Sequence, residues 1–172
     1  FEEDPLRMLR AVQFAARFEF KIESKTFEEI KKNAKSISTV SSERFQEEFR
    51  KMFTKAEKPS IGIKLLFDTG LIDHILPQSN LRKIDLASID KLDKKAFPAF
   101  MGMLMNGYGS NAGKEVISKM RLSNNDADAV QSVVTYTDNS PFLEKNDFKL
   151  VQFIKNVDNK GIANIDEYLK VK

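Results

Sequence analysis

Cysteine is absent from the 172 residues, so disulfides and thiol chemistry are excluded. A single histidine, His74, leaves too few imidazoles for a histidine-based zinc site, and no metal site is expected in this chain. No apolar run approaches the ~18 residues that a membrane-spanning helix needs. Strand-like alternation of apolar and polar residues is missing nearly everywhere, which points to an all-α class. There is no strict internal repeat; successive short helices read as an array of packed pairs. No signal peptide is visible, and the opening residues read as the middle of a motif, so the expectation is a piece of a longer, cytoplasmic protein.

What is present is ordinary for a folded chain: 41% hydrophobic and 31% charged residues, and enough length for one domain or two small ones. The net charge of +3 is too small to make the whole surface a polycation, so any nucleic-acid contact must come from local basic patches. The most informative stretch is the first. Pro5 suits a first helical position, Asp4 before it reads as an N-cap, and Glu2 and Glu3 sit near the positive end of the dipole. At 100° per residue, Arg7, Arg10, Phe14 and Arg17 fall within about 80° of one another, with Asp4 one step away. Met8, Ala11, Val12, Ala15 and Phe18 form a separate apolar stripe. Asp accepts from an amino group and Arg forks two hydrogen bonds to a planar acceptor, so this face is able to read the edge of a base. The plain alternative is a solvated face with one Asp4–Arg7 helix pair.

Further along, Ser24 or Thr26 is expected to cap a helix over about 27–35, with Phe27, Ile30 and Ala34 inward. Ser41 and Ser42 cap a third, whose core stripe is Phe45, Phe49, Met52 and Phe53, with Glu43, Arg44, Glu47 and Glu48 off the stripe. Pro59 separates it from a fourth over 61–69, with Ile61, Leu65 and Leu66 inward and Gly70 closing it. A short apolar piece runs from Leu71 to Leu76. The polar stretch 78–95 holds one short helix around Leu86, Ile89 and Leu92 and is the best domain boundary. Residues 96–105, rich in Phe and Met, form a buried helix; Met at helical spacing reads as core filler. A turn cluster at 106–111 precedes helices at 112–120 and 126–136, with Ser123 as a cap and a loop near Pro141. Two last helices are expected over 148–157 and 165–171.

Three segments resemble one family in order and spacing. Glu3-Asp4-Pro5-Leu6-Arg7-Met8-Leu9-Arg10 looks like the E-D-x-x-R nucleotide-recognition motif, Val40-Ser41-Ser42-Glu43-Arg44-Phe45 like the V-S-x-E-R landmark, and Gly62 to Pro77 like a third. The Phe20-Lys21-Ile22-Glu23 step and the Arg121-Leu122-Ser123-Asn124 turn are also similar. The family is the tRNA nucleotidyltransferases of the second class: CCA-adding enzymes and bacterial poly(A) polymerases. The resemblance implies a neck domain over 1–77, carrying the nucleotide-recognition helix, and a helical RNA-binding body over 78–172. It implies CTP, ATP and tRNA as partners and addition of C and A to tRNA 3′ ends.

Carried over position by position, Asp4 and Arg7 are the base-reading pair and Arg10 contacts the nucleotide or its phosphates. Glu43 and Arg44 brace the reading helix; read without the resemblance, they are plain helix-surface ions. Where the family often has a further arginine, this chain has Gln13, which puts part of the phosphate contact in question. Lys31, Lys32, Lys35, Arg50, Lys51, Lys55 and Lys58 either line an RNA backbone path or simply face water. His74 reads as a surface or capping residue. The family's catalytic carboxylates, a D-x-D after Gly-Ser that holds Mg²⁺ in a separate head domain, have no match here; Asp126-Ala127-Asp128 has the spacing but reads as a capping pair. No catalytic residue is therefore assigned in this chain, and Mg²⁺ is expected only in the parent enzyme. The competing class is a non-catalytic α-helical module that binds RNA or protein.

Overall fold

The computed structural model describes residues 1, 3–76, 86–105, 113–114, 117–118, 120–143 and 165, and only the backbone of 136–143. Among these, every regular element is helical and no strand occurs. The expectations for 77–85, 106–112, 148–157 and 166–171, and for Glu2, fall outside the described residues. The chain divides into two compact units, Phe1–Gln78 with Asp85–Asp90, and Ser79–Ile84 with Lys91–Lys172.

The first unit is organised around α1 (Leu6–Phe18), which packs against α3 (Ser42–Lys55) and α4 (Pro59–Asp68). Its inward side is Met8, Leu9, Val12, Ala15 and Ala16, each nearly or fully buried. Phe18, expected in this stripe, is exposed instead. It lies one turn after Phe14, on the outer side, where the helix ends. Glu19 takes a left-handed conformation there (φ 53°), and the Phe20 N–H donates to the Ala15 carbonyl at 3.0 Å. The α1–α4 crossing is close: a Cβ on Gly62 would stand 2.2 Å from Met52 Sδ and 3.1 Å from Ala16 Cβ. That close approach explains why Gly62, Ile63 and Leu66 are buried, with Pro59 at the helix start, whereas Ile61 and Leu65 are only half-buried.

Several caps differ from expectation. Pro5 already holds helical angles, and the carboxylate of Asp4 points to guanidiniums instead of capping α1. Helix α2 (Ser24–Asn33) begins earlier than expected because Glu23, not Ser24 or Thr26, is its cap. The Glu23 carboxylate accepts from the Thr26 N–H at 2.9 Å and the Thr26 hydroxyl at 3.2 Å. Beyond Asn33 the chain tightens into a 3₁₀ segment, Ala34–Thr39, which rests on α1 and on α5 (Leu71–Ile75). Ser41 stands at the N-cap of α3 but its hydroxyl makes no capping bond. Gly70, with φ 73°, forms the left-handed link between α4 and α5. The amino end of α4 is capped from a distance by α6 (Leu86–Asp90): the Ser60 N–H and hydroxyl donate to the two Asp90 oxygens at 2.9 and 2.6 Å. Glu48, expected off the α3 stripe, is buried beside Lys51, whose ammonium lies 3.1 Å from its carboxylate.

In the second unit α7 (Phe97–Leu104) is buried on all sides and packs on α8 (Asn124–Leu143) through Ala129, Val130, Val133 and Val134. Pro98 sits in the first turn of α7, where its missing N–H has no partner to lose. The hydroxyl of Ser123 accepts from the Asp126 N–H at 3.2 Å, so Ser123 caps α8 as expected. Asp126 and Asp128 lie at the start of that helix. Helix α8 continues through 137–143, where a loop near Pro141 was expected. A proline late in a helix removes one ladder bond, and the long packed stretch before it holds the turn in place.

Candidate functional site

The amino-terminal turn of α1 brings Asp4 and Arg7 to the edge of the first unit. Arg7 Nε stands 3.9 Å from one Asp4 oxygen, and Arg44 Nη2 from α3 stands 3.5 Å from the other. Both distances exceed the ~2.7–2.9 Å of a tight charge-assisted hydrogen bond, so the carboxylate keeps lone pairs available. The Arg7 side chain is 66% exposed and that of Asp4 29% exposed, so neither head is packed away. Together with Phe1, Glu3, Glu29 and Asn33 they line a polar recess of about 310 Å³.

Glu29 and Asn33 were not singled out from the sequence. They lie one turn apart on α2, and the Asn33 amide donates to the Glu29 carbonyl at 2.8 Å. The i, i+4 polar pair is visible in the sequence, but only the packing of the first unit puts it opposite Arg7. The recess thus holds three carboxylates, Glu3, Asp4 and Glu29, and one guanidinium. That charge suits a ligand edge that donates hydrogen bonds and repels a phosphate.

The other expected residues are placed as follows. Arg10 is exposed one turn along α1, its guanidinium 5.9 Å from the Phe14 ring centre. Gln13 is 2% exposed and faces the core, so no phosphate contact passes through that position. Arg44 joins Asp4, whereas Glu43 lies in the first turn of α3. Most of the candidate RNA-path cations have carboxylate neighbours: Lys31 with Glu28 at 3.5 Å, Lys32 with Glu29 at 3.9 Å, Lys51 with Glu47 at 2.8 Å, and Lys58 with Glu19 at 3.2 Å. Lys51 is held above the ordinary lysine range by hydrogen bonds from its ammonium to Glu47 and then Glu48, and Glu47 is held below the ordinary glutamate range by Lys51. Lys35 and Lys55 are exposed, and Arg50 is half-buried. His74 is exposed on α5. Among the described residues no group of three or more His, Cys, Asp or Glu could hold a metal ion, and no helix is long and apolar enough to cross a membrane.

Residues 19–81 match the family described as "Probable RNA and SrmB- binding site of polymerase A". A CCA-adding enzyme of Lactococcus lactis subsp. lactis is 32% identical over 139 residues, which is 78% of this chain and 34% of that protein. Together these matches support a fragment of the CCA-adding enzyme family. Two solved structures share the fold of this chain: a CCA-adding enzyme with CTP (TM-score 0.68, 21% identity) and the Thermotoga maritima CCA-adding enzyme complexed with tRNA (TM-score 0.66, 22% identity). Each likeness covers 98% of this chain, against 44% and 45% of those chains. The chain therefore spans less than half the length of the relatives it matches.

Proposed function

We propose that this chain supplies the nucleotide-selecting and RNA-binding part of a nucleotidyltransferase that adds C and A, from CTP and ATP, to tRNA 3′ ends. The observation that carries the reading is the open recess in which Asp4 and Arg7 stand side by side. Cytosine and adenine both present an exocyclic amino donor where uracil and guanine present a carbonyl acceptor. A carboxylate accepts from that amino group and meets the carbonyl with repulsion, and an adjacent guanidinium donates to the neighbouring ring acceptor. One fixed pair thus selects two of four bases without a nucleic-acid template. Arg44 holds Asp4 from the far side and acts as a positioning residue. The triphosphate lies outside this acidic recess, on the side of Arg10.

The named relatives are CCA-adding enzymes, and the solved structures of that fold include one with CTP and one with tRNA, which supports the choice of partners. The description of the matched family names polymerase A, which keeps poly(A) addition as the second reading. A cytoplasmic setting belongs to the same proposal. Transfer of a nucleotidyl group calls for Mg²⁺ held by paired carboxylates. The described residues do not fit that ion, so none is assigned to it and the chemistry is left to other residues of the parent enzyme.

The test is Arg7→Ala in the full parent enzyme, assayed with each nucleotide separately on tRNA lacking its 3′ end. Discrimination among nucleotides should be lost while tRNA binding persists. Normal addition of C and A by that variant would overturn the base-reading role. Binding of tRNA to this chain should weaken steeply with added salt; binding unchanged at about 0.5 M, where the Debye length is roughly 4 Å, would remove the phosphate contacts from the proposal.

A further inference from the structure

The outer face of α1 carries a second feature that the base-reading pair does not use. Phe14, Phe18 and Phe20 form a continuous stack: the Phe14 and Phe18 ring centres are 6.1 Å apart with planes 23° from parallel, and those of Phe18 and Phe20 are 5.5 Å apart at 28°. These are the large hydrophobic side chains left exposed among the described residues, Phe20 by 66%. Guanidiniums sit at two of the rings, Arg17 5.0 Å from the Phe18 centre and Arg10 5.9 Å from that of Phe14. The left-handed turn at Glu19 swings Phe20 back onto Phe18, a backbone state that L-residues rarely adopt. Phe20 then leads into a recess of about 560 Å³, with Ile22, Phe27, Ile61 and Leu65 as its apolar lining and Lys21 and Lys64 beside them.

Three open rings in a row could serve any apolar partner, but the charge around them is selective. Arg10, Arg17, Lys21 and Lys64 border the rings and the recess. Of the nearby carboxylates, Glu19 is paired with Lys58, Glu28 with Lys31 and Asp68 with Lys64, which leaves the guanidiniums of Arg10 and Arg17 and the ammonium of Lys21 to face a phosphate. The ligand class that offers flat π-faces joined by a regular anionic backbone is an unpaired nucleic-acid strand: bases stack on aromatic rings and on guanidinium planes, and phosphates take the cations. We propose that the Phe14–Phe18–Phe20 ladder is a stacking platform for unpaired nucleotides, separate from the recess at Asp4 and Arg7. It goes beyond the nucleotide-selecting role, because it engages polymerised nucleotides through ring faces and not a base edge.

The test is binding of a labelled single strand to the 172-residue chain at low salt, beside a blunt duplex. Leucine keeps apolar area but has no π-face. Phe18→Leu and Phe20→Leu should each weaken single-strand binding roughly tenfold, the scale of one lost stacked base. Phe18→Tyr should bind like the parent chain, and duplex binding should be unchanged in all. An adenine analogue whose fluorescence falls on stacking should be quenched by the parent chain and not by Phe20→Leu; this readout needs only one folded variant. Leucine variants that bind as well as the parent chain would overturn the proposal and point to an apolar protein partner or to phosphate contacts alone. No single-strand binding by the parent chain would overturn it too. Asp4→Asn with Arg7→Ala should leave binding intact; loss in that variant with the ring variants unaffected would move the strand to the base-reading recess.

Discussion

Helix α1 and helix α7 bury their apolar residues by the same physics and end in different roles. All eight residues of α7, from Phe97 to Leu104, are buried, and none is charged. Helix α1 is half and half: its inner side is as dry as α7, and its outer side carries Asp4's neighbour Arg7, then Arg10, Arg17 and the ring ladder. A helix wrapped on every side has no surface left for a ligand. One that needs only half its circumference for packing can be rigid and chemically open at once, which is what a site requires.

This contrast can be broken by substitution. In order of effect on folding, Phe100→Ala should cost about 3–5 kcal/mol in denaturant unfolding, because it empties a fully buried ring site in α7. The matching change on α1, Phe14→Ala, should stay within about 0.5 kcal/mol. Equal losses for the two would show that the ladder is a core in disguise. Next, Gly102→Ala places a Cβ 2.3 Å from Val133 Cγ1 and 2.7 Å from its stiff Cβ, so a loss of about 1–3 kcal/mol is expected. Gly62→Ala meets mainly the flexible end of Met52 and should cost less. The reverse order in thermal melts would mean that α7 can slide on α8 more easily than Met52 can turn.

Two smaller changes sharpen the picture of the open half. Glu19→Gly should stabilise the chain by about 1 kcal/mol, since glycine takes the left-handed turn without strain. A drop in melting temperature would show that the glutamate side chain, through Lys58, matters more than its backbone state. Last, Glu23 has its carboxyl held below the ordinary value of 4.5 by the backbone N–H of Lys25 and then of Thr26. A depressed carboxyl contributes stability in full above that ordinary value and loses it as pH falls through the lower folded one. Acid should therefore loosen the start of α2, and Glu23→Gln should remove this part of the acid dependence. Superimposable acid-melting curves for the two chains would exclude the cap.

Periodicity read most of the helical pattern correctly because burial on one side of a helix leaves a 3.6-residue signature in the chain itself. Met8, Val12, Ala15, Ile30, Phe49, Met52 and Phe53 are all buried where that signature put them. It failed where a partner from elsewhere in the chain set the outcome. Glu23 took the cap from Ser24 and Thr26, Asp90 capped α4 from α6, and Glu48 went inside beneath a half-exposed Lys51. Phe18 sits at the margin of the apolar stripe, and only the end of the helix decided that it stays outside. The candidate site divides in the same way: Asp4, Arg7, Arg10 and Arg44 were readable as a motif, whereas Glu29 and Asn33 were not.

By itself the sequence determined the all-α class, the family resemblance and the charged face of the first helix, because these depend on spacing within a few turns of one chain. Only the tertiary structure decided that Asp4 and Arg7 border an open recess with Glu29 and Asn33, and that three phenylalanines stand outside the core in a row. Those facts depend on which helices meet and how closely. A pattern along one helix specifies which side is apolar, but not how much of its circumference the neighbours will cover.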